Sequence, residues 1–365
     1  MAVALSGCFA AKETALVRLQ DMESLKVYES QDKPGHNQFP SAFLDKDGGL
    51  CVVFQQMTGD LNRTPDYGFV QHPEQYCIRL VGMRMAPGEK TFRRIWTQPA
   101  GRAYTHCIFA PHAAGNGSNL ALRGADGSRI EVMETSDCGQ TFQVKAVLSI
   151  PDRPLYPNEL RKIGETWYLA AYDGLGGAYL FTSGDDGATW SKPFQFVTAH
   201  DNMTFHEPTV ESTSDGNLIV LLRTHRMDIP KHNGIHYHRV VISRGKDGSF
   251  QASEAQDTGL GFRGRPSLLR TRDGVLTLVC PGNFLAVSLN DGRTWESRIG
   301  EFPVQEVTIF DKGISKPFSH NAETVLLEMP DGRIYCSFFV GSDFPYPPPC
   351  DEYIGGIFFR LRRNL

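Results

Sequence analysis

The chain has little of what marks a membrane or nucleic-acid protein. No apolar stretch in its 365 residues approaches the roughly 20 that a bilayer-crossing helix needs. A basic excess is missing too. With 37 Lys and Arg against 41 Asp and Glu, the net charge of −4 offers no electrostatic footprint for a phosphate backbone, so no nucleic-acid partner is expected. Long helical periodicities are scarce, and 36 Gly and 22 Pro beside near-average apolar content favour an all-β globular chain.

The cysteines lack zinc-binding spacing, and neither a metal nor a cofactor is expected. Cys51, Cys77, Cys107, Cys280 and Cys336 sit in apolar, strand-like runs, where a free thiol behaves as a small core hydrophobe. That usage favours a reducing compartment such as the cytoplasm. Against it stands Leu5-Ser6-Gly7-Cys8, which resembles a lipoprotein cleavage box. Only a few apolar residues precede that box, whereas an export signal needs about 7 to 15, so an ordinary N-terminus is expected.

What is present is repetition. Ser183-Gly184-Asp185-Asp186-Gly187-Ala188-Thr189-Trp190 spells S-x-D-x-G-x-T-W, Thr135 to Phe142 keeps every position with Thr and Phe as equivalents, and Ser288 to Trp295 exchanges only Asp for Asn290. A frayed copy runs from Ser243 to Phe250. Such a phrase builds a tight hairpin: Ser and Asp side chains bond backbone N–H groups, Gly supplies a positive φ, and the aromatic packs between sheets. A second phrase, an Asp-Gly turn between apolar runs, occurs at Asp47, Asp215, Asp273 and Asp331, the last three spaced 58 residues apart.

Internal periodicity of this kind decides architecture. With less regular turns near Gly115 and Gly164 there are six units, each with about four short strands such as Leu218-Ile219-Val220-Leu221-Leu222. Four-stranded sheets repeated radially make a six-bladed, all-β propeller, whose closure leaves few exposed edges. Residues 1–365 are expected to form one domain, with a strand at about 15–28 supplying the missing outer strand of the last blade.

In a propeller the inner strands begin, and the second strands end, at one mouth of the central channel. The starts of inner strands offer Asn37 and Gln38, His106, Glu159, Glu207 beside His206, Arg263 and Arg265, and His320, Asn321 and Glu323. The ends of second strands add Arg123, Tyr172 and Asp173, and Arg223 with His225, and a blade-one loop adds Arg63, Asp66 and Tyr67. The proline-rich tip Phe344 to Pro349 reads either as a stiff loop whose Tyr346 stacks on a sugar ring or as a packing or subunit-contact element. Glycoside cleavage needs two carboxyl groups across the scissile bond, one to protonate the leaving oxygen and one to act as nucleophile or activate water. Arginine provides a planar clamp for a substrate carboxylate. The structural alternative for Glu207 is an ion pair with Arg223. The segment His225 to His238 reads as a solvated loop, with His232, His236 and His238 lacking a carboxylate companion.

These residues are similar to the sialidase superfamily, whose six-bladed propellers carry Asp-box (BNR) turns of the S-x-D-x-G-x-T-W type. The most specific part is Glu207-Pro208-Thr209-Val210, followed by Asp215-Gly216-Asn217-Leu218 and ending at Leu222-Arg223-Thr224. The resemblance implies that Glu207 assists a catalytic nucleophile and that Arg223 grips substrate. Three departures accompany it. Gln38-Phe39-Pro40 stands where the family has Arg-Ile-Pro. Glu323, eight residues before Asp331, stands where it has its tyrosine nucleophile. Pro281-Gly282-Asn283 offers no third arginine, for which Arg265 is a substitute.

A tyrosine nucleophile avoids repulsion by the anomeric carboxylate of sialic acid, so a glutamate there points to a sugar without that group. The resulting expectation is an exo-acting glycoside hydrolase of sialidase-like fold. Glu207 and Glu323 would be its carboxyl pair, and Glu159 and Asp173 substitutes. A true exo-α-sialidase using Arg63 and Asp66, a propeller polysaccharide lyase and a non-catalytic glycan-binding propeller stay open. The expected partner in each reading is a carbohydrate.

Overall fold

The computed structural model describes residues 17–29, 35–59, 76–99, 107–228, 236–260, 264–280, 284–297, 325–340 and 353–364. Among them are 24 β-strands and no helix, hence no helix long and apolar enough to cross a membrane. The first strand of the chain, β1 (Val17–Glu29), belongs to the last sheet. Blade 1 is β2 (Gly35–Leu44), β3 (Leu50–Gly59), β4 (Tyr76–Met85) and β5 (Arg93–Pro99). Blade 2 is β6 (Cys107–Phe109), β7 (Asn119–Ala125), β8 (Arg129–Thr135) and β9 (Gln143–Ser149). Blade 3 is β10 (Tyr156–Ile163), β11 (Thr166–Tyr172), β12 (Ala178–Ser183) and β13 (Phe194–Val197).

Blade 4 is β14 (Met203–Ser212), β15 (Leu218–Arg226), β16 (His238–Arg244) and β17 (Phe250–Ala252), with β18 (Gln256–Asp257) also on β16. Blade 5 is β19 (Ser267–Arg270), β20 (Leu276–Cys280) and β21 (Phe284–Ser288), where a bridge from Val287 to Glu296 stands in for a fourth strand. Blade 6 is β22 (Val325–Glu328), β23 (Ile334–Val340), β24 (Tyr353–Arg363) and then β1, antiparallel to β24. The inner strands form a closed circuit, β2 beside β6, then β10, β14, β19, β22 and β2 again. The all-β, six-bladed propeller expected from the repeats is the fold observed.

Each blade is covered on both faces, so its middle strands read as continuous apolar runs rather than alternating ones; Leu218 to Leu222 are all buried. The core is correspondingly divided into six wedges, one between each pair of adjacent blades. Phe43 and Phe109 stack at 4.2 Å between blades 1 and 2, and Trp167 and Phe181 meet Leu120 and Leu122 between blades 2 and 3.

The three S-x-D-x-G-x-T-W turns share one hydrogen-bond pattern. In the central copy Asp185 accepts from Ser183 Oγ at 2.8 Å, Thr189 N at 2.9 Å and Thr189 Oγ1 at 2.6 Å, while Ser183 Oγ accepts Gly187 N at 2.9 Å. Asp137 does the same with Thr135 and Thr141. Where Asn290 replaces the acid, the amide reverses one bond, donating Nδ2 to Thr294 Oγ1 at 2.8 Å. The glycine is required: Gly292 takes φ of 72°, and a Cβ there would lie 2.5 Å from Ile219 Cδ1. In the frayed copy Asp247 caps only Ser249, at 3.0 Å to N and 2.6 Å to Oγ.

An inner strand has no sheet partner on its channel side, and buried backbone N–H groups must be satisfied. Side chains of the preceding blade do this. Ser41 Oγ accepts Phe109 N at 2.8 Å, Glu159 Oε2 accepts Val210 N at 2.6 Å, Thr209 Oγ1 accepts Leu268 N at 3.3 Å and Ser267 Oγ accepts Leu326 N at 3.2 Å. Ser41, Glu159, Thr209 and Ser267 thereby occupy equivalent places in their blades.

Beside these caps lies a buried ionic triad. Arg161 binds Glu159 and, at 2.8 Å, Glu211, and donates to Leu268 O at 2.7 Å. Glu211 also accepts Arg270 N at 3.0 Å, so the triad ties blades 3, 4 and 5. Burial works against the Arg161 charge, and the two carboxylates outweigh it, holding its pKa above the ordinary arginine value. Truncating one member of such a group leaves uncompensated buried charge, typically at about 3–5 kcal/mol. Arg161→Leu is expected to destabilise the protein by about that amount, read from urea unfolding, and Glu159→Gln, which keeps an acceptor for Val210 N, by less. Equal midpoints for wild type and Arg161→Leu would refute this.

Candidate functional site

The hairpin of β14 and β15 carries the strongest site features at the channel mouth. Its register shifts between His206 and Thr209, leaving Glu207 and Pro208 as a bulge, and Glu207 takes φ of 46°. Non-glycine residues seldom hold such a conformation, and bulges of this kind re-aim side chains beside functional sites. Across the hairpin Arg223 donates Nη1 to both Glu207 oxygens, at 3.1 and 3.0 Å. The ion pair foreseen as the structural alternative for Glu207 is therefore formed. Burial opposes the Arg223 charge, and Glu207 outweighs it, so its pKa is raised.

Around this pair stand rings. His206 meets Tyr172 edge-on at 5.6 Å and His225 at 4.9 Å, and its Nε2 lies 3.0 Å from Thr204 Oγ1. Tyr237 lies buried beneath, donating its hydroxyl to Gly264 O at 3.0 Å. Burial, then Cys280 and Glu207, push its pKa well above the ordinary phenol value. Burial pushes His206 below the ordinary imidazole value, more than Glu207 raises it.

The other carboxylates of the described mouth are engaged in the scaffold. Glu159, 9% exposed, spends both oxygens on Arg161, Thr209 Oγ1 and Val210 N. Asp173, fully buried, accepts Arg153 Nη1 at 2.7 Å, Gly177 N at 2.8 Å, Leu175 N at 2.9 Å and Tyr179 Oη at 2.9 Å. Burial works against this carboxylate, and its donors outweigh that, holding its pKa below the ordinary value. Both carboxylates are thus held by scaffold partners in this structure.

Arg265 reaches across the inner strand of blade 4 to Asn158 O in blade 3. Arg123 is turned along its own sheet to Glu131, at 2.9 Å through Nε, and is not gathered with Glu207. The backbone of Gln38 pairs with Gln55 as His206 pairs with Arg223, which sets Phe39, φ 56° and followed by Pro40, as the blade-1 counterpart of Glu207. Glu323, Asn321, His320, Arg263, Arg63, Asp66, Tyr67, His106 and Tyr346 lie outside the described residues.

Two residues of the site region escaped the sequence reading. Arg161 carried a signal, since Glu159 and Arg161 share one face of a strand at period 2. Tyr237 was hidden among histidines. One expectation is corrected outright: His236 has a carboxylate companion, Asp257, at 2.8 Å across the β16–β18 pairing. His238 instead faces Thr224 Oγ1 at 2.8 Å. No metal-ligand cluster of three was found at this mouth among the described residues; Asp45, Cys51 and Cys138 group at the opposite end, with Cys138 Sγ 3.5 Å from Asp45 Oδ2.

His206 and His238 both have pKa values lowered by burial. Unfolded, each would titrate near about 6.5. Above that pH both states are neutral; below it the unfolded chain takes up protons that the native state resists, so stability falls with acidification. The melting temperature is expected to drop between about pH 7 and pH 5, with a shallower drop in the His206→Gln, His238→Gln double variant. A flat profile over that range would contradict the assignment.

No family model and no curated protein matches the chain. Solved structures do. A protein of unknown function from Dyadobacter fermentans superposes with TM-score 0.65 at 16% identity, covering 96% of this chain and 100% of that one. An α-L-arabinanase of Penicillium chrysogenum complexed with arabinobiose gives 0.60 at 13%, covering 92% and 97%. The NanB sialidase of Streptococcus pneumoniae gives 0.57 at 11%, covering 92% and 70%. The chain has the sialidase-like six-bladed propeller fold, shared with arabinanase and sialidase structures.

Proposed function

We propose that the protein is an exo-acting glycoside hydrolase whose substrate is a neutral sugar, with Glu207 and Glu323 as its carboxyl pair. The observation that carries the reading is the presentation of Glu207: a carboxylate at a bulge, φ 46°, held by Arg223 and ringed by Tyr172, His206 and Tyr237. Glu159 and Asp173 support the scaffold around it rather than the chemistry.

Glu323 enters through sequence register. Leu268 N caps on Thr209 and Leu326 N on Ser267, so Thr209, Ser267 and Val325 are equivalent positions 58 residues apart. Glu207 precedes Thr209 by two residues, and Glu323 precedes Val325 by two. Matching sequence positions in two blades are what a carboxyl pair for glycoside cleavage would call for.

A neutral sugar is favoured by the state of the described arginines at the mouth. Arg223 is engaged by Glu207 and Arg265 by Asn158 O, whereas recognition of a substrate carboxylate calls for guanidinium groups directed at it. Arabinose-containing oligosaccharides head the substrate panel because arabinobiose is bound by the Penicillium structure.

On whichever glycoside of that panel is turned over, Glu207→Gln and Glu323→Gln are each expected to lower kcat by about 10²–10⁴-fold with the fold intact by circular dichroism. Retention of full turnover by both variants would end the assignment. Release of the fluorophore from a sialic acid glycoside at a comparable rate would replace it with a sialidase, and an unsaturated product absorbing in the near ultraviolet would replace it with a lyase.

A further inference from the structure

We propose that Tyr156, Tyr172, His206 and His225 form a stacking track that leads outward from Glu207 over blades 3 and 4 and binds the uncharged, non-reacting part of an oligosaccharide. The inference rests on the glycosidase reading and specifies where the rest of the glycan runs. The four rings are contiguous: Tyr156 to Tyr172 is 5.3 Å between centroids, Tyr172 to His206 is 5.6 Å and His206 to His225 is 4.9 Å. They come from the starts of β10 and β14 and the ends of β11 and β15. Those are the strand ends that meet at the mouth, and His206 is the residue before Glu207.

Three further properties suit a sugar chain. Tyr156 is 39% exposed, and Leu175 at 61% and Met227 at 73% follow the ends of β11 and β15 on the same rim, so apolar surface is accessible to a ligand beside the rings. Each ring has an apolar body with a polar handle, matching a ligand with C–H faces and hydroxyl edges. Among the described residues along the rim, Arg153 pairs with Asp173, Arg223 with Glu207 and Arg226 with Asp228. These pairs offer no net charge to a ligand on the track.

Arabinobiose, longer arabino-oligosaccharides and an array of other neutral oligosaccharides serve as probes against the full chain by titration calorimetry and array binding. Affinity is expected to rise with chain length. Tyr156→Ala and Tyr172→Ala are each expected to weaken the longest ligand bound by about tenfold and to reduce the advantage of long over short ligands, whereas Tyr156→Phe, which keeps the ring, restores it. Kinetically, the ratio of kcat/KM for the oligosaccharide to that for its aryl monoglycoside should fall in the Ala variants. Binding independent of chain length, no binding to any neutral glycan, or parallel loss on long and short substrates would overturn the track. Turnover with an unchanged ratio would remove the track and leave the hydrolase; length-dependent binding lost in Tyr156→Ala, without turnover of any glycoside, would remove the hydrolase and leave the track.

Discussion

The channel-side edge of the inner strands is the constraint on which this ring depends. Six inner strands have no sheet partner on that side, and buried N–H groups cannot stay unpaired. Ser41, Glu159, Thr209 and Ser267 answer this by capping the next blade. The hydroxyls are neutral and need nothing more. Glu159 brings a charge, so Arg161 must follow, and Arg161 in turn requires Glu211 and the Leu268 carbonyl. One choice of capping residue thus draws in a network over three blades, immediately below the bulge that presents Glu207.

A second linkage operates at the far end of the blades. In each S-x-D-x-G-x-T-W turn the residue after the Asp or Asn is left-handed, Cys138, Asp186 and Asp291 at φ of 57°, 51° and 58°, and its side chain reaches the preceding blade. Asp186 accepts Gly115 N at 3.2 Å and Asp291 accepts Ser214 N at 2.9 Å. Between blades 1 and 2 the polarity is exchanged: this turn contributes the thiol of Cys138, and the preceding blade contributes the acid, Asp45, which is also held by Arg84. The backbone geometry is common to all three, whereas the direction of the bond is free.

The parts of this protein that could be read from residues were those whose chemistry closes over a few positions. The hairpin turns were legible because Ser183, Asp185 and Thr189 bond one another within seven residues. Glu207 and Arg223 were legible as a pair because they sit at the two ends of one hairpin, where register fixes their proximity. Partners drawn from different blades left no such trace. Arg161 with Glu211 and Arg270 with Glu211 join residues 50 and 59 apart. Asp173 looked available because it follows a second strand; its commitment to Arg153 and Tyr179 comes from the turn before β10 and from the adjacent strand β12. His236 looked solitary for the same reason, since Asp257 arrives 21 residues later through a short added strand.

The last sheet joins Val17–Glu29 to Tyr353–Arg363, so β1 can pair only with a segment more than 300 residues further along the chain. Blades 1 to 5 contain only strands close in sequence. Until residue 353 and its successors leave the ribosome, this early segment has an unpaired edge, the feature that invites association with other chains. Its outward side is mostly polar and charged, with exposed Gln20, Asp21, Glu23 and Lys26. Charged and polar side chains of this kind blunt an open strand edge, which gives a physical reason for an element that seals the ring to be among the least apolar strands within it.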